Sequence, residues 1–334
     1  MRKVYTAAPA ERATGRRTLM GVPWIVTLHA PDARAGEAAV EAALDEVARL
    51  DGILSDYRPE TELSRLSASA PTPRPVPVGD DLWEVLRRAV AIRDESGGAF
   101  DPTVGPLSTL WRQARKSGSL PTERKLAAAL AASGPDSLRL VPDERAVELL
   151  RPGMRLDLGG IGMGFAIDRV LALLRARGID SALVDASGDV GASGPPPESP
   201  AWRIAVDPIP GRLPASTGRV ALAWAAVTTS GDARQAVTIG GRRYSHIVDP
   251  RTGLGVRGPA AVTVIAPDAT DADALATAAS VLGPVRGRTF LENRAGCAGR
   301  FVAVDGGGDG EGDSVREVLT SRWPDAGIGA APGG

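Results

Sequence analysis

Between Arg155 and Arg169 the chain reads Arg-Leu-Asp-Leu-Gly-Gly-Ile-Gly-Met-Gly-Phe-Ala-Ile-Asp-Arg, and this stretch constrains the fold most. An alternating apolar run ends in four glycines within six residues, and a helical pattern (Val170-Leu171-Ala172-Leu173-Leu174) follows. Glycines leave backbone groups uncovered, so the chain can approach a phosphate or a metal closely at the mouth of a helix whose dipole favours anions. A tight strand-to-helix turn with no ligand would use the same residues. The spacing is not Gly-x-Gly-x-x-Gly after a short first strand, and no Gly-Lys-Ser/Thr follows. Neither the dinucleotide-binding fingerprint nor the P-loop therefore fits.

The 334 residues allow one large domain or two modest ones. A net charge of −1 excludes a bulk basic field for nucleic acid or anionic membranes, and 4% aromatic content argues against a base-stacking surface. The single cysteine, Cys297, excludes an internal disulfide and a thiolate zinc site. The first twenty residues are interrupted by Arg2, Lys3, Arg12, Arg16 and Arg17 and hold no apolar signal core or early cysteine. No stretch approaches the ~20 apolar residues of a membrane span. The expectation is a cytoplasmic protein that binds neither membrane nor nucleic acid.

Periodicity predicts a strand over Leu19–His29 and a helix over Ala35–Leu50 closed by Asp51-Gly52. A second amphipathic helix is predicted over Leu82–Ser96, stopped by Gly97-Gly98. Short helices over Glu123–Ala132 and Asp271–Leu282 follow the same logic. Strands are predicted at Ala182-Leu183-Val184, Trp202–Val206, Val220–Val227 and Ala261–Ile265, with a turn at Thr228–Asp232 and a hairpin at Gly240-Gly241. Residues 1–17 read as a flexible lead, 18–322 as a single domain and 323–334 as a flexible tail, with Gly306–Gly310 also flexible. Helices and strands do not alternate strictly, which predicts an α+β fold.

Two groups stand out chemically. His246, in Tyr244-Ser245-His246-Ile247-Val248-Asp249-Pro250-Arg251-Thr252-Gly253, lies where a strand runs into a turn and suits acid–base work near neutral pH; a histidine bonded to the backbone in the core is the plain alternative. Asp273 and Thr277, four apart on one helical face, are hard oxygen donors that suit Mg²⁺; favourable acids at a helix start are the plain alternative. Asp157 could accept from a ligand's ring N–H or hydroxyl, Tyr57 could stack on an aromatic ligand, and Met20 could pack against a planar ring. Each also has an ordinary structural reading.

In one order the chain carries Met20-Gly21, Ser55-Asp56-Tyr57-Arg58-Pro59, Asp101-Pro102-Thr103-Val104-Gly105-Pro106-Leu107, Asp157-Leu158-Gly159-Gly160-Ile161, Thr229-Ser230-Gly231-Asp232, the His246 segment and Ala272-Asp273-Ala274-Leu275-Ala276-Thr277-Ala278. Over residues 19 to 305 this order resembles the ApbE family, the FAD:protein FMN transferases. The resemblance implies an ApbE-like, T-fold-related α+β architecture: antiparallel sheets flanked by helices, with an FAD cleft between two lobes. It implies Mg²⁺-dependent transfer of FMN from FAD to a Thr or Ser hydroxyl of an acceptor protein, with AMP released. It further implies metal ligands at Asp273, Thr277 and the carbonyls of Gly160 and Thr270. FAD contacts are implied at Met20, Tyr57, Ala99, Phe100, Asp101, Asp157, Gly160, Met163, Ser230, Ser245, His246 and Ile247, with His246 as the base and Asp273 as its catalytic companion. Three positions depart from the family pattern: Met163 replaces a Lys or Glu that touches the cofactor, Phe165 replaces Tyr, and Ser187 stands where a second glycine is common. An FAD pyrophosphatase yielding FMN and AMP, and a flavin-binding module without catalysis, are the rival readings.

Overall fold

The computed structural model describes residues 10–207, 209, 218–231, 236–257, 261–305 and 314–324. In chain order it contains β1 (Glu11–Leu19), β2 (Val22–Ala30), α1 (Ala33–Leu54), α2 (Glu62–Ala68), β3 (Val76–Pro77), α3 (Asp80–Glu95), α4 (Gly105–Ser117) and α5 (Glu123–Ala131). Then come β4 (Leu138–Val141), β5 (Ala146–Leu149), α6 (Gly162–Ala176), β6 (Ser181–Ala186), β7 (Asp189–Ala192), β8 (Trp202–Ala205), β9 (Arg219–Leu222) and β10 (Ala225–Gly231). The rest is β11 (Ala236–Ile239), β12 (Arg242–Ser245), β13 (Ala261–Ala266), α7 (Ala269–Glu292), β14 (Ala298–Asp305) and β15 (Ser314–Leu319).

One sheet runs in the order β1-β2-β6-β7-β10-β13-β14-β15, and every neighbouring pair is antiparallel. Helices α1, α6 and α7 pack on it. The alternation of β6 shows how its two faces are used: Ala182, Val184 and Ala186 enter the main core with the helices, whereas Leu183 packs with Trp202, Val220 and Leu222 of the β8–β9 ribbon. The α+β expectation with antiparallel sheets flanked by helices holds.

Local chemistry explains the elements. The Asp32 carboxylate caps α1 by accepting the Ala35 N–H at 2.8 Å, and Ala39, Val40, Ala43, Leu44, Val47 and Leu50 form its buried stripe. Asp268 caps α7 by accepting the Asp271 N–H at 2.7 Å. Small side chains let α7 lie close between the sheet and α6: Ala272, Ala274, Ala276, Ala278 and Ala279 are all buried. The helix is kinked at Gly283, whose φ is 75°, ahead of Pro284.

Five expectations need correction. Val220–Val227, predicted as one strand, is broken at Ala223-Trp224 into β9 and β10, which belong to different sheets. Glu11–Leu19, placed in the flexible lead, is an edge strand held to α1 by Arg17, which pairs with Glu41 at 2.7 Å and Asp45 at 2.8 Å. Asp51-Gly52 does not close α1, which continues to Leu54; a glycine inside a helix costs only about 1 kcal/mol, and the apolar stripe continues beyond it. Thr228–Gly231 is strand, because each residue from Ala226 to Gly231 pairs across to β13. Trp323, assigned to the tail, packs against the β8–β9 ribbon cluster. Residues 1–9, 306–310, 325–334 and Asp232 lie outside the described residues.

A smaller core joins Leu107, Trp111 and Ala114 of α4, Ala129 of α5, and Tyr244 and Val248 around the β11–β12 hairpin. The molecule is thus built as a large sheet-and-helix body and a smaller lobe. Two hairpin turns, Met20-Gly21 and Ser187-Gly188, lie at one end of the sheet, since Trp24 pairs with Ala186. The functional cavity opens there, between this sheet end and the smaller lobe.

Candidate functional site

The cavity has a volume of about 920 Å³. The sheet end contributes Met20, Ser187, Asp189, Thr228 and Ser230; the glycine turn and α6 contribute Asp157, Gly159, Gly160, Gly162 and Met163; α7 contributes Asp273 and Thr277. The smaller lobe supplies Val104, Trp111, Arg112, His246 and Ile247, while Ala99, Phe100, Asp101 and Tyr57 complete the wall. Helix α6 begins here with no cap from its own N-cap residue, Ile161; the Asp273 carboxylate of α7 accepts the Gly164 N–H of its first turn instead.

Asp273 is 3% exposed, and its Oδ2 accepts the Gly164 N–H at 3.2 Å. Burial pushes its carboxyl up to about 7. Asp189, also buried, is raised well above the carboxylate range by burial and then by the charge of Asp273. One turn along α7, Thr277 Oγ1 is 3.2 Å from Ser230 Oγ. Two glycines make this assembly possible. A β-carbon at Gly160 would lie 2.9 Å from Thr277 Oγ1, and one at Gly164 would lie 2.1 Å from the Ala269 carbonyl oxygen. The glycine turn predicted to approach a ligand closely is therefore also what lets α6 press against α7.

Two predicted contacts stand apart from the cavity wall. Thr270 donates its N–H and its hydroxyl to Asp168, which also accepts the Ala269 N–H at 2.9 Å. Burial raises the Asp168 carboxyl to about 6 despite these bonds. Ser245 is buried at the end of β12, where its hydroxyl accepts the Ile247 N–H at 3.1 Å. Neither Thr270 nor Ser245 lines the cavity. Phe165, one of the three departures, also points away from it; it is buried in the main core with the Arg169 guanidinium 5.0 Å from its ring centroid.

On the opposite wall, Asp157 has both carboxylate oxygens engaged. Oδ1 accepts the Gly159 N–H at 2.8 Å, and Oδ2 accepts from Arg112 at 3.2 Å. Asp101, buried and raised by that burial, accepts the Thr103 N–H at 2.8 Å and hydroxyl at 2.7 Å, which fixes the segment after Phe100. Tyr57 stands at the mouth, 75% exposed. Met20 has a φ of 49° and Ser187 a φ of 62°; both occupy left-handed turn positions and project at the cavity end of the sheet.

His246 is half-buried just past β12. The turn after it is clasped to α4: Trp111 donates its indole N–H to the Gly253 carbonyl at 2.8 Å, and the Gly253 N–H donates to the Asp249 carbonyl at 2.8 Å. At Gly255 a β-carbon would meet the Ser245 carbonyl oxygen at 2.7 Å, so the Asp249–Gly255 loop folds back tightly behind the histidine.

Sequence reasoning missed Arg112 and Asp189 as site residues. Asp189 reads as a turn residue and Arg112 follows a proline- and glycine-rich run with no motif of its own, and only the tertiary fold brings them to the cavity. The available signal for Asp189 was its position just after a buried strand and a Ser-Gly turn. Among the described residues, no group of three or more His, Cys, Asp or Glu side chains is arranged to hold a metal. A cation here would rely on one or two carboxylates, a hydroxyl, backbone oxygen and oxygens of the ligand itself, which is the pattern of Mg²⁺ beside phosphates. No helix among the described residues is long and apolar enough to cross a membrane.

The profile of the ApbE family matches residues 20–301. The chain is 35% identical over 291 residues to the FAD:protein FMN transferase of Treponema pallidum (strain Nichols), which covers 80% of this chain and 79% of that protein. It is 32% identical over 313 residues to an FAD:protein FMN transferase of Klebsiella pneumoniae (strain 342), covering 90% and 87%. The apo form of Pseudomonas stutzeri flavinyl transferase ApbE has a similar structure, with a TM-score of 0.81 at 31% identity over 95% of this chain and 96% of that one. The flavin transferase ApbE of Vibrio cholerae gives a TM-score of 0.79 at 27% identity, over 94% and 98%.

Proposed function

The chain belongs to the ApbE family, and on that premise we propose that it is an FAD:protein FMN transferase. It takes FAD into the cavity, moves the FMN half to a Thr or Ser hydroxyl of an acceptor protein and releases AMP. One observation carries this reading: the buried Asp273, Thr277 and the Gly160 backbone share a cavity with His246, which supplies the oxygen donors and the base that the reaction needs.

Asp273 and Thr277 would hold Mg²⁺, with backbone oxygen at Gly160. A carboxylate buried beside Asp189 has its charge offset by a divalent cation, which supports the fit. When bound, the ion neutralises charge on the pyrophosphate and polarises the phosphorus. The start of α6 reaches the cavity at Gly162 and Met163, and its dipole adds a favourable field for the same anion. Asp157 accepts from the flavin ring, with Tyr57 and Met20 against its faces.

His246 takes the proton of the acceptor hydroxyl, a weak nucleophile without a base. The hydroxyl oxygen forms a bond to the phosphorus of the FMN half. The bond from that phosphorus to the bridging oxygen breaks, and AMP leaves with that oxygen.

The test is incubation with FAD and Mg²⁺, with and without an acceptor bearing an Asp-x-x-Gly-Ala-Thr-type sequence. Covalently yellow acceptor together with AMP supports the proposal. AMP formed equally without acceptor would make the protein an FAD pyrophosphatase. FAD binding with neither product would leave a flavin-binding module.

A further inference from the structure

Arg112, on α4, joins separate segments of the cavity wall. Its Nη1 donates to Asp56 Oδ2 at 2.6 Å, and its Nη2 donates to Asp157 Oδ2 at 3.2 Å. Its guanidinium carbon stands 4.3 Å from the Tyr57 ring centroid. Asp56 and Tyr57 follow α1, whereas Asp157 precedes the glycine turn, and the guanidinium ties these groups together. The planar fork of arginine can bond two carboxylates while lying flat on a ring; an ammonium cannot do all three.

The two carboxylates need this cation. The side chains of Asp56 and Asp157 are only 14% and 10% exposed. Burial raises the Asp56 carboxyl, and the charge of Asp157 raises it further. Without Arg112 the two acids would repel each other, and the loop that carries Tyr57 would lose its tie to the wall. Helix α4 is itself anchored, because the neighbouring Trp111 is buried and bonded to Gly253.

Tyr57 is largely exposed although the guanidinium covers one face of its ring. The guanidinium leaves the other ring face uncovered, and the same arginine holds Asp157, whose two oxygens are already oriented. That pair reads a planar ligand ring that also donates an N–H.

We infer that Arg112 is a positioning residue that sets specificity for the flavin half of the substrate: it backs Tyr57, leaves one ring face open for stacking, and fixes Asp157 to accept the flavin ring N–H. The inference rests on the flavin-transfer reading above. It separates recognition of the flavin ring from recognition of the nucleotide and pyrophosphate, which belongs to the glycine turn and α7.

The experiment compares FAD with ADP, which has the adenosine and the pyrophosphate but no flavin. Binding of both in Mg²⁺ is measured on wild type, Arg112→Met, Arg112→Lys and Asp56→Asn, with the thermal midpoint of each. Arg112→Met should weaken FAD on the order of tenfold to a hundredfold while ADP changes by less than about twofold. Arg112→Lys should recover part of the loss, and Asp56→Asn should show a smaller loss confined to FAD. Parallel loss of FAD and ADP would make Arg112 a general scaffold residue and overturn the inference, as would unchanged FAD binding. If Arg112→Met does not fold, wild-type FAD-to-ADP preference in both remaining variants overturns it equally. A wild type that binds ADP as well as FAD would sink the flavin-transfer reading itself; a wild type that prefers FAD, with insensitive variants, sinks only the role of Arg112.

Discussion

The backbone N–H of Gly164 donates to Asp273 Oδ2 at 3.2 Å, and through that bond the first turn of α6 orients the carboxylate that α7 carries. The approach depends on the missing side chain, since a β-carbon at Gly164 would also lie 2.9 Å from the Asp273 β-carbon. The glycine turn and the start of α7 are therefore one unit, although about a hundred residues separate them in the sequence.

Asp273→Asn should separate stability from catalysis. The amide keeps the shape but removes a charge that burial and Asp189 disfavour. The metal-free variant should match or exceed the wild-type thermal midpoint. Mg²⁺-dependent transfer should fall on the order of a hundredfold or more, the scale for losing a preorganised electrostatic contact. Near wild-type turnover in saturating Mg²⁺ would remove Asp273 from the metal site.

The same carboxyl sets a pH dependence. Its pKa in the fold, about 7, exceeds the value of about 4 in an unfolded chain. Its contribution to metal-free stability is therefore full below about pH 4 and is lost as pH rises through about 7. Mg²⁺ needs the carboxylate, so its effect runs the other way. The rise in thermal midpoint on adding Mg²⁺ should grow between about pH 6 and about pH 8 and then level off. A Mg²⁺ shift independent of pH across that range would contradict the assignment.

Gly164→Ala tests the contact between the helices. The new methyl would sit 2.1 Å from the Ala269 carbonyl oxygen, which is backbone and cannot swing aside. Overpacking of this kind costs about 1–3 kcal/mol, a loss of several degrees in thermal midpoint. Both Mg²⁺ and FAD affinity should fall with it. A variant with wild-type stability and Mg²⁺ response would mean that α6 and α7 can part without consequence.

Much of this was legible in the sequence because the relevant signals are local. The stripes of α1 and α3, the Gly240-Gly241 hairpin and the glycine turn each announce themselves within a dozen residues. Strand β1 did not, because an edge strand bearing Arg12, Arg16 and Arg17 has the composition of a solvated lead, and its pairing to β2 is a tertiary fact. The carbonyl of Thr270, implied as a metal ligand by the resemblance, is not part of the cavity wall; its N–H and hydroxyl bond Asp168 of another helix, a tertiary fact. Arg112 was missed for the same reason: its partners lie 56 and 45 residues away in the chain. Ser187, an odd residue beside Gly188, makes sense only with its φ of 62°, where a glycine would sit without strain.

Met163, one of the two departures that reach the cavity, lies on the first turn of α6. A thioether cannot offer the polar contact of a lysine. Met163→Lys should bind FAD more tightly than wild type in a titration with Mg²⁺ present. Weaker or equal binding would show that methionine has taken a different role at this wall, such as packing against the ligand.

His246 gives the sharpest test of the reaction. If it takes the proton from the acceptor hydroxyl, His246→Ala should lower the transfer rate at saturating FAD by about 10²–10⁴-fold, the range for a lost general base. FAD affinity should change far less, because on the proposed reading binding is shared among the glycine turn, Asp157, Tyr57 and the oxygen donors of α7. The Asp249–Gly255 loop behind the histidine is held by Trp111 and by its own backbone bonds, so removing the imidazole should leave that support in place. A histidine that only packs under the ligand predicts the opposite pattern: affinity and rate fall together, and saturating FAD restores turnover. Equilibrium FAD binding and single-turnover transfer, measured on this one variant, distinguish a base from a packing residue.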